Sequence, residues 1–128
     1  MVGLLSVRGS GSVGGSALSD ESTGLERRAN SLASSGRYAA AVHVQRRLVE
    51  AREQSLGGGH PGTLAARHNL ARWTGEAGDA AGARDQLTAL RAVSKRVLGP
   101  EHPDTLAAQE KLAYWTDKAN GDVSRGMK

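Results

Sequence analysis

The chain has 128 residues, at most one domain of ordinary size, and a formal net charge of +4 from 17 Lys+Arg against 13 Asp+Glu. It contains no cysteine, which excludes disulfides and thiolate metal sites and leaves the redox compartment open. With two Trp, two Tyr and no Phe, alanine and leucine must make the core, which suits close-packed helices and suits a β-sandwich badly.

The N-terminus, Met1 to Arg8, carries a short apolar patch without a preceding basic segment and is too brief for a secretory signal. No apolar run approaches the roughly 18 residues of a membrane span. A cytoplasmic protein is expected, and the Ala/Gly/Arg-heavy usage suggests a gene rich in G and C and a bacterial origin. Residues 1–21 are Gly/Ser-rich and hold too little apolar surface to offset the entropy of ordering them, so they read as a flexible, disordered leader or a linker.

Five helices follow. The first is expected at about 22–35, capped by Ser22 or Thr23, with Leu25, Ala29, Leu32 and Ala33 on one face and Gly36 at its end. The second, about 38–56, carries an apolar stripe of Tyr38, Ala41, Val42, Leu48 and Val49, broken by Gln45 and Arg52. On its wet side Arg46 and Glu50 form an i, i+4 pair that contributes about 0.3 kcal/mol. Gly57, Gly58 and Gly59 end it, and His60-Pro61 opens a third helix at about 62–77. A fourth, about 80–98, starts after the cap candidate Asp79 and stops at Gly99-Pro100. His102-Pro103 then opens a fifth at about 104–119, fading at Asn120-Gly121 before a polar tail, 122–128.

The third and fifth helices are two copies of one segment. Leu56 to Ala77 and Leu98 to Ala119, offset by 42, agree at 13 of 22 positions, where unrelated sequence would give about one or two. The same offset relates Gly36, Ala39, Ala41, Leu48 and Leu56 to Gly78, Ala81, Ala83, Leu90 and Leu98. The chain is therefore expected to be an all-α solenoid of antiparallel helix pairs over residues 22–121, two and a half units long.

Paired helices with a small residue in each A helix (Ala29, Ala71, Ala113) and a Gly-x-Tyr/Ala-x-x-Ala entry to each B helix (Gly36, Tyr38, Ala41; Gly78, Ala80, Ala83) resemble the tetratricopeptide repeat, TPR. The ordinary unit is about 34 residues. The longer unit here, with its Leu-Gly-x-x-His-Pro-x-Thr-Leu connection, resembles the kinesin-light-chain type, also frequent in large bacterial signalling proteins. The resemblance covers about residues 22–121 and is most specific in the second repeat, since Arg28 stands where the first A helix would carry a leucine. It implies a scaffold whose concave face, lined by A helices, holds an extended peptide or a partner's helix.

The resemblance also implies a groove slot at Asn69, with equivalents Arg27 and Lys111. Asn69 and Lys111 are similar to two members of the carboxylate clamp of peptide-binding TPRs, and Asn30 to a further clamp asparagine. Glu26 and Ala107 stand where that clamp has lysines. The implied groove is centred on Asn69, is lined by Arg27, Asn30 and Lys111, and favours acidic or amide-bearing peptides. Ala71, Trp73, Ala113 and Trp115, which recur in register, are expected to pack between repeats.

No catalytic arrangement has sequence context. His60 and His102 recur one repeat apart without a cysteine or a carboxylate cluster at ligand spacing, so they read as structural residues of the loop-to-helix junction. His43 and His68 read as surface residues, and the Gly57–Gly59 run lacks the Gly-Lys-Ser/Thr of a phosphate loop. No enzyme, metal or cofactor is expected. A protein-interaction adaptor, or a regulatory arm of a larger signalling protein, is the leading function. The alternative is weak nucleic-acid binding through Arg27-Arg28 and Arg46-Arg47, which the interleaved Glu26, Glu50 and Glu53 disfavour. Leu112, Tyr114 and Trp115 on an unpaired last helix predict marginal stability as a monomer, self-association through that helix, or truncation from a longer array.

Overall fold

A computed structural model describes residues 21–126, which form five helices in series. They are α1 (21–34), α2 (Tyr38–Leu56), α3 (Pro61–Glu76), α4 (Ala80–Leu98) and α5 (Pro103–Gly126). The proposed leader lies outside the described residues, except that Glu21 is already helical. Ser22 and Thr23 sit inside α1.

The boundaries between helices are set by backbone chemistry. Each turn from an A helix to a B helix passes through a glycine with positive φ, Gly36 and Gly78. Each return passes through another, Gly57 (φ 91, ψ 156) and Gly99 (φ 105, ψ 157), in a region that only glycine enters without strain. Pro61 is the first residue of α3, where its missing N–H costs nothing. The His60 ring caps the helix, its Nδ1 accepting from the Gly62 amide at 2.9 Å. His102 repeats this, Nδ1 accepting from the Asp104 amide at 3.1 Å. Both histidines thus have the structural role expected of them.

The stops of α1 to α4 do not extend to α5. Asn120-Gly121 reads as a helix end, yet α5 continues through Gly126. Gly121 is not among the glycines with positive φ. A glycine in a helix costs about 1 kcal/mol but ends it only when the chain must turn to pack the next element. Among the described residues nothing follows α5 to require that turn.

Consecutive helices pack as antiparallel neighbours, α2 on α3, α3 on α4 and α4 on α5. The core comprises three clusters. Leu25, Leu48, Val49 and Ala66 form one, and Ala33, Ala41 and Trp73 a second, both between the first repeat and α3. The third is larger and continuous: Leu64, Ala71, Ala80, Ala83, Leu87, Leu90, Ala108, Trp115 and Ala119, joining α3, α4 and α5. Alanine at Ala29, Ala41, Ala71 and Ala83 is fully buried, which lets helix axes approach closely.

Candidate functional site

Two three-helix junctions result, the first of α1, α2 and α3 and the second of α3, α4 and α5. A tryptophan enters each at the same register. Trp73 packs with Ala33 and Ala41 and stacks on Tyr38, centroids 6.0 Å apart at 22°. Trp115 lies against Gly75, leaving no room there for a Cβ. Both rings are buried, as is Ala71.

Ala113 departs from its expected packing role and is exposed. Its counterpart Ala71 is covered by the B helix that follows α3, and no such helix follows α5 among the described residues. The same absence leaves Leu106 45% exposed, although its counterpart Leu64 is buried. Tyr114 is exposed as its counterpart Arg72 is. Leu112 is only partly buried, against the second junction.

The groove residues separate into two kinds. Arg27, Asn30 and Lys111 are exposed on α1 and α5. Asn69 is half-buried on α3 and lines a cavity of about 260 Å³ between α3, α4 and α5. His68, Ser94 and Asp104 supply the other polar groups of that cavity, and Leu64 and Leu90 its apolar wall. Ala65 and Ala107 complete the lining. Helical spacing explains the α3 contribution, since Leu64, Ala65, His68 and Asn69 fall at i, i+1, i+4 and i+5 on one face.

His68 is therefore no ordinary surface residue. Burial lowers its pKa below the ordinary histidine value; the Lys111 charge adds to the depression, Asp104 opposes it, and Arg72 adds to it again. The neutral ring that results presents one nitrogen as acceptor and one as donor. Neither His68 nor Asp104 stands out as a motif. The signal that marks them is the repeat comparison itself: at offset 42, Glu26, Arg52 and Gly62 change together to His68, Ser94 and Asp104.

At the first junction those three counterparts are joined. Arg52 donates from Nη1 to the Gly62 carbonyl and from Nη2 to Glu26 Oε1, each at 3.1 Å. Among the described residues, no group of three or more His, Cys, Asp or Glu is placed to hold a metal ion.

A sequence profile described as "Tetratricopeptide repeat" matches residues 20–89, more than half of the chain. The chain belongs to the tetratricopeptide repeat family. In three dimensions this TPR chain is similar to crystal structures of nearly identical TPR-like repeats from Podosopora anserina, described as kinesin light chain. The match has 30% identity and a TM-score of 0.64, and covers 86% of this chain and 50% of that one. A single-substitution form of the same protein matches with the same values. The TPR chain thus spans about half the length of these relatives. No curated protein sequence matches it. TPR repeats are a non-enzymatic scaffold family that mediates contacts between proteins. No helix among the described residues is long and apolar enough to cross a membrane.

Proposed function

We propose that this TPR chain is an interaction scaffold that holds an extended peptide or a partner helix along its A helices, centred on Asn69. The observation that carries this reading is the cavity between α3, α4 and α5, where a half-buried amide stands beside three further polar side chains and an apolar wall. Such a mixture suits a side chain that needs both burial and a directed hydrogen bond. The exposed Arg27, Asn30 and Lys111 on the neighbouring A helices supply contacts for acidic or amide groups along the partner.

The working context is a cytoplasmic adaptor, or the sensor arm of a larger bacterial signalling protein. The exposed face of α5 with Leu106, Ala113 and Tyr114 serves to pair the chain with a second copy through the C-terminal helix. Selection from a random peptide library, followed by affinity measurement on Asn69→Ala and Lys111→Ala, tests the groove. Each change should weaken the selected peptides about tenfold, the size of one charge-assisted hydrogen bond. Unaltered affinity in both variants would remove the groove reading.

A further inference from the structure

The cavity at the second junction is the place where the first junction keeps an arginine. Ser94 is the counterpart of Arg52 on the next B helix, and it is 2% exposed at the wall of the cavity. Replacing a long side chain by a short one while the helices keep their spacing leaves the volume of the missing atoms empty. Opposite, the receptors of the guanidinium have counterparts too. Glu26, which accepts from Arg52, becomes His68, and Gly62, whose carbonyl accepts from Arg52, becomes Asp104.

A carboxylate is kept through this exchange. One carboxylate faces the space in each case, Glu26 from the A helix at the first junction and Asp104 from the first turn of the next A helix at the second. Only the cation has been lost. Lys111 and Arg72 lie close enough to act on His68, but neither lines the cavity. The second junction also carries an unmatched group that the first does not. Thr63 Oγ1 lies 2.8 Å from the Gly57 carbonyl oxygen, to which it donates, whereas its buried counterpart Thr105 Oγ1 has no partner among the described residues.

We propose that the cavity between α3, α4 and α5 is a receptor for one arginine side chain of a bound partner, whose guanidinium takes the place that Arg52 fills from within the chain at the first junction. The Asp104 carboxylate is its counter-ion, and His68 and Asn69, which line the same cavity, offer further acceptors. Leu64 and Leu90 cover the aliphatic stem. A volume of about 260 Å³ holds a side chain and little more, at the small end of ligand sites, and so disfavours a cofactor-sized occupant. This inference deepens the groove reading by naming the chemistry of one partner residue, which an acidic or amide-bearing peptide would present among its other groups.

The test uses the full chain and Nα-acetyl-arginine amide, with the citrulline and lysine analogues as controls. By ¹H–¹⁵N NMR, the arginine probe should shift the amides of His68, Asn69, Ser94 and Asp104 with a dissociation constant on the order of 1 mM. The neutral citrulline probe should bind about tenfold more weakly, as should the arginine probe to Asp104→Asn, which changes an exposed residue. In Ser94→Arg the cavity is filled from inside, so the melting temperature should rise and the probe shifts vanish. Equal shifts with citrulline, unchanged binding in Asp104→Asn, or unfolding of Ser94→Arg would each overturn the proposal. Library peptides that need Asn69 but contain no arginine would overturn it while leaving the groove reading in place.

Discussion

The two junctions follow one 42-residue plan and are held together by different physics. Directional polar contacts cross the first. Gln45, buried in α2, donates from Nε2 to the Ala66 carbonyl at 2.9 Å, and Arg52 ties α1 to the start of α3. Along α2, Gln45 falls between the two small apolar clusters there. At the second junction Leu87 stands in place of Gln45, and a single apolar cluster extends from Leu64 to Ala119. A buried amide or guanidinium recovers in hydrogen bonds roughly what it loses in hydration, so it specifies geometry more than it adds stability. Apolar fill does the reverse. The same plan thus gives a first junction crossed by Gln45 and Arg52 and a second with a continuous apolar cluster. At the second, Gln86 donates from Nε2 to Thr74 Oγ1 at 3.2 Å and a cavity lies beside Ser94.

The largest expected effect separates the two tryptophans. Trp115→Ala removes a ring from the continuous cluster and should cost about 3–5 kcal/mol in urea unfolding. Trp73→Ala should cost less, because its cluster is smaller and Tyr38 can settle into the space. A loss at Trp73 equal to that at Trp115 would break the contrast drawn between the junctions.

A smaller effect concerns the B helices. Asp79 caps α4, its Oδ1 accepting from the Gly82 amide at 2.9 Å, whereas Arg37 in the same position gives α2 no side-chain cap. Asp79→Ala should destabilise by about 1 kcal/mol and Arg37→Asp should stabilise by a similar amount. Thermal melts of the two variants, moving in opposite directions, would sharpen the comparison; a neutral Arg37→Asp would show that the α2 entry is set by tertiary packing alone.

The finest distinction is in pH dependence. His68 has no titrating histidine counterpart at the first junction, where Glu26 stands. Because its folded pKa is lowered, the unfolded chain binds the proton more readily, and stability is lost as pH falls below about 6.5 toward the folded value. Melts of His68→Gln between pH 7.5 and 5.5 should lose that component of the slope. An identical slope in the variant would mean that His68 is no less hydrated folded than unfolded.

Much of this is legible in the sequence alone. The duplicated Leu-Gly-x-x-His-Pro-x-Thr-Leu connection places two helix starts and two glycine turns, because proline and positive-φ glycine act through the local backbone. The recurring Trp73 and Trp115 predict packing between repeats for the same reason of register. Ala113 and the end of α5 are not legible there, since both depend on packing against a neighbouring element, which no local pattern encodes. His68 reads as a surface residue in the sequence because its burial is supplied by α4 and α5.

The residues by themselves determined that this is a stack of helical hairpins and where each hairpin turns, since helix starts, stops and apolar faces are properties of a few neighbouring residues. Only the tertiary structure decided that Asn69 has a cavity beside it while Arg27, Asn30 and Lys111 stand in the open. That difference arises where three helices meet, from whether a side chain contributed by a distant segment fills the space between them. At Arg52 it does, and at Ser94 it does not.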